Sequence, residues 1–316
     1  MLSLIVRRIA NSVFTLVLIS VVVFAGLELM PGDACTAYLG REGKGAALDA
    51  CRARMGLDAS PAIRFGQWAS SIMSGDLGTS TQRDKPITEI VGWRLRNTLV
   101  LSAVAALVGI PLAVFLGIFA GLRHDGPFDL AASGVALVAM TIPEFVSASL
   151  LIMVFAVGLE WTAGVVTIGY KASLPEMAAA AVLPAVVLSM ILSAHIMRMV
   201  RASVIDVFKS DFVLMARLKG VPRQQIIWRH VVPNSLLPVI SVIGLTIAWM
   251  LGGVVIVESI FNYPGLGRLA VDAVGDRDLP LVQAIALLFG ITYVITNLVT
   301  DIVALMLNPR LRTYRA

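Results

Sequence analysis

Few residues in this sequence have a type and spacing that could do chemistry, and none is arranged for catalysis. The three histidines, His124, His195 and His230, are scattered. A zinc hydrolase of the HExxH type needs two histidines on one helical face, and a nucleophile elbow needs GxSxG; neither pattern occurs. The nearest approach to a phosphate loop is GREGKGA at 40–46. It fails GxxxxGK[ST] because Tyr38 stands where the first glycine belongs and Gly45 where Ser or Thr must stand. No metal cluster and no catalytic residue is expected.

What remains are lone polar or polarisable groups inside apolar runs. Glu144 follows Pro143 in the run 130–159, and His195 lies near the end of the run 177–197. A carboxyl in such a place either lines a path for cationic cargo, such as an amino terminus, or is a structural group that is buried, paired or protonated. His195 reads as a path residue or as helix packing. Met140, Met190 and Met250 read as adaptable path lining or as ordinary packing. Asn297 and Asp301, at i and i+4, share a helix face and suit structural bridging. Cys35 and Cys51 fit a disulfide closing a modest loop in an oxidising compartment, or two unpaired thiols.

A different kind of chemistry, that of a contact surface, is written in ARLKGVPRQQIIWRH, residues 216–230. Ser210 or Asp211 can cap a helix over 212–219 whose apolar side is Phe212, Met215, Ala216 and Leu218. Gly220 can take the left-handed conformation that ends a helix, and Pro222 suits the first turn of the next, through Ile226, Ile227 and Trp228. The result is a helix, a glycine elbow and a second helix. Phe212, Leu214, Met215, Leu218 and Val221 would be exposed there, either folded onto a membrane surface or docked to another protein; docking is the better reading.

The elements that hold these residues are membrane spans. Of the 316 residues, 58% are hydrophobic and only 14% charged, against roughly 25% charged in soluble domains. Crossing a bilayer takes about 20 apolar residues. Six runs qualify: Ile9–Leu27, Asn97–Leu122, Leu130–Leu159, Met177–Met197, Pro233–Val257 and Leu279–Thr300. All should be helical, because a lone strand leaves its backbone unsatisfied in lipid. The expected fold is an all-α integral membrane protein with an external subdomain over 31–96, between a first span in 1–30 and a core in 97–316. In that subdomain FGQWASSIM (65–73) and ITEIVGWRLRNTL (87–99) predict short helices over the external mouth. Gly117 and Gly121 form a small-xxx-small pair for close helix approach, and Pro111, Pro143, Pro184 and Pro238 predict kinks.

Basic residues set the orientation. Arg7, Arg8, Arg123, Arg198, Arg201, Lys209, Arg217, Lys219, Arg223, Arg229, Arg310, Arg312 and Arg315 fall on the side of the termini, opposed there by Asp125, Asp129, Asp206 and Asp211. Both termini are therefore placed in the cytoplasm. The net charge of +5 is mostly this topology signal, and a nucleic-acid partner is not expected. The sequence after the first run, ELMPGDACTAYLG, has no small-x-small cleavage site, so that run reads as retained.

The run DFVLMARLKGVPRQQIIWRHVVPNSLLPVI (211–240) closely resembles the cytoplasmic signature of permease subunits of ATP-binding-cassette importers, in the dipeptide, oligopeptide and nickel branch. LELMPGD (27–33), SGDLGTS (74–80), RLRNTL (94–99), MTIPEF (140–145), VESIFNYPGLGRLAVDAVGDRDLPLVQ (257–283) and NLVTDIVALMLNPRLR (297–312) extend the resemblance over nearly the whole chain. The resemblance implies a type I importer permease fold with six transmembrane helices in a bacterial inner membrane, with a coupling loop over about 200–232. It implies that the helix around Ala216–Gly220 is similar to a coupling helix seated in a groove of a separate ATPase. In that role Asp211, Phe212, Met215, Ala216, Arg217, Leu218, Lys219 and Gly220 would dock, Ala216 allowing close approach and Arg217 and Lys219 pairing with acidic groups. Phe212 and Met215 stand where the family often has Tyr and Thr. Glu144 stands where it more often has Ser or Gly.

The implied partners are a second, homologous permease subunit, two ATPase subunits that bind ATP and Mg, an external substrate-binding protein meeting the NYPGLGRL turn (262–269), and membrane lipid. No cofactor belongs to the chain itself. The implied cargo is a di- or oligopeptide, carried by alternating access. Relatives of similar sequence carry nickel complexes, opines or oligosaccharides, which stay open as cargo. A self-sufficient secondary transporter or channel would give the apolar elbow no role, and an intramembrane enzyme would need the site that is missing above.

Overall fold

The computed structural model describes residues 2–29, 34–39, 44–54 and 56–307. The tail bearing Arg310, Arg312 and Arg315, residues 30–33 of LELMPGD and residues 40–43 of GREGKGA lie outside them.

The regular structure of the described chain is helical apart from two very short paired strands. Helix α1 (Leu2–Glu28) is followed by α2 (Ala34–Leu39), α3 (Ala46–Arg54) and α4 (Pro61–Met73), then by β1 (Thr79–Ser80) and β2 (Lys85–Pro86), paired antiparallel. The core holds α5 (Ile87–Leu122), α6 (Pro127–Thr141), α7 (Glu144–Leu151), α8 (Leu174–Ala180), α9 (Val182–Phe208), α10 (Asp211–Leu218), α11 (Arg223–Ile226), α12 (Val232–Ile260), α13 (Leu266–Gly275) and α14 (Leu279–Leu307). Five helices are long and apolar enough to cross a membrane, and α6 with α7 makes a sixth when the bent pair is one span.

Four expectations need correction. The run 130–159 is not one helix: α6 and α7 meet at an angle of 107°. Ile142, forced out of the helical region by the following proline, is extended at φ −78° and ψ 125°. Glu144 therefore opens a helix instead of sitting inside one. Residues 87–99 are not a separate short helix but the first turns of α5, which runs unbroken for 36 residues. Pro184 makes no interior kink, because it lies in the first turn of α9, where a missing N–H costs nothing. The fifth span begins earlier than Pro233: a π-helical turn, Ile227–Val231, joins α11 to α12, giving one helix from Arg223 to Ile260. A wide turn ahead of Pro233 accommodates a residue that cannot donate to the regular ladder.

Helix α9 is the centre, packed against α5, α6, α7 and α12. Gly109, Ala113, Gly117 and Gly121 recur every fourth residue along α5 and are buried. A Cβ at Gly117 would lie 2.6 Å from Val200 Cβ and 2.7 Å from the Met197 carbonyl oxygen, so the two backbones approach as only glycine permits. Ser193 donates to the Gly109 carbonyl at 3.0 Å, and Ser203 to the Ser235 carbonyl of α12 at 2.7 Å. Arg201 of α9 clasps the buried Asp129 of α6, with Nη2 at 2.6 Å from Oδ2.

The segment between α1 and α5 is tied to α1 and to itself. Cys35 and Cys51 are disulfide-bonded, with Cα atoms 5.8 Å apart. Phe24 of α1 stacks edge-on against Phe65 of α4 at 5.3 Å, with Trp68 at 6.0 Å. Arg64 pairs with Glu28. At the other end of α1, Arg8 pairs with Asp301 of α14, the bridging role its sequence position suggests; Asn297 instead donates to the Tyr293 carbonyl of its own helix.

Candidate functional site

Three places gather the polar groups that the fold positions: the elbow, a cavity beside α9, and a buried cap at the far end of α12.

At the elbow, α10 begins after Ser210, whose carbonyl accepts from the amides of Val213 and Leu214 at 3.1 Å. The Ser210 hydroxyl donates backward to Val207 and caps nothing. Gly220 has φ +75°, a conformation that costs other residues about 1–2 kcal/mol. With the Gly220 amide on Arg217 and the Val221 amide on Ala216, the last carbonyls of the helix are met. Val213 and Ile226 are buried, so the inner side is anchored to the core. The outer side presents Phe212, Leu214, Met215 and, 73% exposed, Leu218. Ala216 is half-buried and Asp211, Lys219 and Gly220 are exposed. Arg217 stacks on Phe208 of its own chain, 4.3 Å from the ring centroid, which fixes the guanidinium plane while leaving its N–H edge for another acceptor.

The cavity measures about 520 Å³. Leu188, Ile191, Leu192, His195, Arg198, Met199 and Ala202 of α9 form one wall, Val242 to Met250 of α12 the other, and Met140 and Glu144 a third side at the α6–α7 break. Met140, Glu144, His195 and Met250 thus line one space; Met190 does not line it. His195 Nδ1 lies 3.1 Å from the Ile191 carbonyl, a contact within its own helix. Arg198 donates to Met140 Sδ at 3.4 Å. Glu144 is pressed against α12 at Gly253, where a Cβ would lie 2.5 Å from both carboxylate oxygens. Sequence reasoning missed Arg198, Thr246 and Trp249 as cavity residues; the spacing of Arg198 from His195 and of Thr246 from Met250, three and four residues along the same helix faces, is the signal that could have found the first two.

The cap joins two sequence blocks far apart in the chain. Glu258, fully buried, accepts from the Gly267 amide at 2.7 Å and the Arg268 amide at 3.1 Å, at the N-terminus of α13. There a carboxylate meets both free N–H groups and the helix dipole. Asn97 donates to the carbonyls of Tyr170 and Pro264, both at 2.9 Å, and Tyr263 donates to the Asn97 carbonyl at 3.1 Å. Burial pushes the Tyr263 phenol above its ordinary range. Pro264 to Gly267 are all buried in this joint. Nearby, the buried Asp278 accepts from Ser80, from Thr81 at 3.1 Å and from Arg83 at 3.4 Å, holding the β1–β2 hairpin. None of Glu258, Thr98 or Asp278 was singled out from the sequence.

Comparison with known proteins gives these sites a context. The family described as "Binding-protein-dependent transport system inner membrane component" matches residues 113–313, and its N-terminal companion, a binding-protein-dependent transport system membrane component, matches residues 1–102. The glutathione transport system permease protein GsiC of Pectobacterium atrosepticum is 33% identical over 312 residues, 99% of each chain. A protein of Brucella suis biovar 1 carrying a provisional peptide-permease name is 33% identical over 317 residues, again 99% of each. A crystal structure of an amino acid ABC transporter with histidines has a chain similar in fold, with a TM-score of 0.51 and 19% identity, over 69% of this chain and 94% of that one.

Proposed function

Because the chain belongs to the family of binding-protein-dependent transport system inner membrane components, we propose that it carries di- and oligopeptides inward as half of a heterodimeric permease. It is a multi-pass transport subunit, not an enzyme, and needs no cofactor of its own. In this reading two ATPase subunits bind ATP and Mg, and an external binding protein delivers cargo over the cap. The membrane is a bacterial inner membrane with both chain termini cytoplasmic, as the basic residues of the elbow side favour. The relatives named for peptide and glutathione transport support a peptide cargo.

The observation that carries the mechanism is the outer face of α10. Phe212, Leu214, Met215 and Leu218 stand exposed on a helix whose inner side is anchored by Val213. Such a patch marks a contact surface, and its setting among Arg217, Lys219 and Arg223 suits an apolar groove rimmed with acids. Closure of the ATPases on ATP draws the two elbows of the heterodimer together and opens the path outward; hydrolysis returns it inward. The test is co-purification of this chain with its ATPase, comparing wild type with the pair Ala216→Glu and Gly220→Arg. Loss of the ATPase, with the membrane chain still folded and still paired with its partner permease, is the expected result. Retained assembly and retained binding-protein-dependent ATP hydrolysis would sink this role for the elbow.

A further inference from the structure

We propose that Glu144 is the cargo's amine receptor: its carboxylate, in the wall of the 520 Å³ cavity, pairs with the protonated terminal amine of the peptide during passage. This rests on the peptide reading above and names the chemical group that the cavity selects.

Three features of the cavity point to it. The first is an unanswered atom. Glu144 Oε2 is buried and has no hydrogen-bond partner among the described residues. A buried polar group without a partner destabilises the fold, more so when charged, and persists where function requires it.

The second is that the cavity's own cation does not sit on this carboxyl. Arg198 lines the same space but donates to the sulfur of Met140. No ion pair between Glu144 and any cation occurs among the described residues. The cavity that Glu144 lines is mainly apolar, with Met140, Leu188, Ile191 and Met250 among its walls and His195, Arg198 and Thr246 as its other polar groups. A mainly apolar wall strengthens a charge pair formed against it.

The third is that the fold makes room for this side chain. Gly253 removes the side chain that would collide with both carboxylate oxygens at 2.5 Å. The break before Pro143 puts Glu144 at the first position of α7, where the helix dipole favours a negative charge. A primary ammonium is compact and carries three donors on one centre, which suits a lone carboxylate in a mainly apolar wall.

The experiment uses the assembled transporter, with its partner permease, ATPases and binding protein, and a water-soluble carbodiimide. The probe is a tripeptide with a free amine and a C-terminal amide, so that only protein carboxyls are activated. Mass spectrometry is expected to find an amide bond between Glu144 and the peptide amine, absent for the N-acetylated twin and for Glu144→Gln. Uptake of a peptide that the wild type imports is expected to fall at least tenfold in Glu144→Gln, and less in Glu144→Asp. Cross-linking of Glu144 to a lysine of another subunit, no cross-link at Glu144, or uptake by the Gln variant equal to wild type would each overturn the proposal. A wild-type complex that imports no peptide at all refutes the peptide reading instead.

Discussion

Thr98 and Glu258 share one proton bridge: the Thr98 hydroxyl donates to Glu258 Oε1 at 2.6 Å while accepting the Leu266 amide at 2.7 Å. One side chain of α5 thereby closes the junction of α12 and α13, and both of its partners are buried.

Removing that hydroxyl should leave a buried carboxylate and a buried amide short of a partner. Thr98→Val is expected to destabilise the protein by about 1–3 kcal/mol, read as a lower midpoint in thermal unfolding of the detergent-solubilised chain. Glu258→Ala should cost more, since it orphans the amides of Gly267 and Arg268 as well. The double variant should fall short of the sum of the two, as expected for residues in one network. Strict additivity would show that the bridge does not couple them.

The α5–α9 seam makes a sharper contrast. Gly117→Val places new atoms against Val200 and the Met197 carbonyl, and is expected to cost about 1–3 kcal/mol or to block folding. Gly134→Ala, in α6, meets nothing within 4 Å. It should leave the unfolding midpoint unchanged or slightly raised, since alanine is the better helix former. Equal loss from both would mean that the seam is not tight.

The disulfide closes a loop between positions 16 residues apart. A loop of that size is worth about 3 kcal/mol to the element it closes. Cys35→Ser should therefore make 36–54 the first site of cleavage in limited proteolysis, while the helices α5 to α14 keep their resistance. Unchanged cleavage with the bond absent would show that the segment is held by other contacts.

What was legible in the sequence is whatever a few neighbouring residues decide. Gly220 and Pro222 announce the elbow because a positive φ and a fixed φ are local demands, and the residue at each position meets them. The apolar spans are legible because lipid reads only length and hydropathy. Pro143 gives notice of a break but not of 107°, since that angle depends on how α6 packs on α9 and α5 and how α7 packs on α9 and α12. Glu258 was overlooked for a related reason. On its own it is one carboxyl at the end of an apolar run, and its meaning comes from Thr98, 160 positions earlier, and from the amides after Gly265. The four cavity residues came from three runs, and only the packing of α6, α7, α9 and α12 showed that they face a common space.

The elbow is fastened at both ends to the walls of the cavity. Two residues, Lys209 and Ser210, separate α10 from α9, and beyond Gly220 the chain enters a helix continuous with α12. No slack linker lies between them, so the assembly works like a pair of tongs gripped at the handle: a push on α10 must be taken up by the jaws, one bearing His195 and Arg198, the other Met250 and the Gly253 notch that seats Glu144.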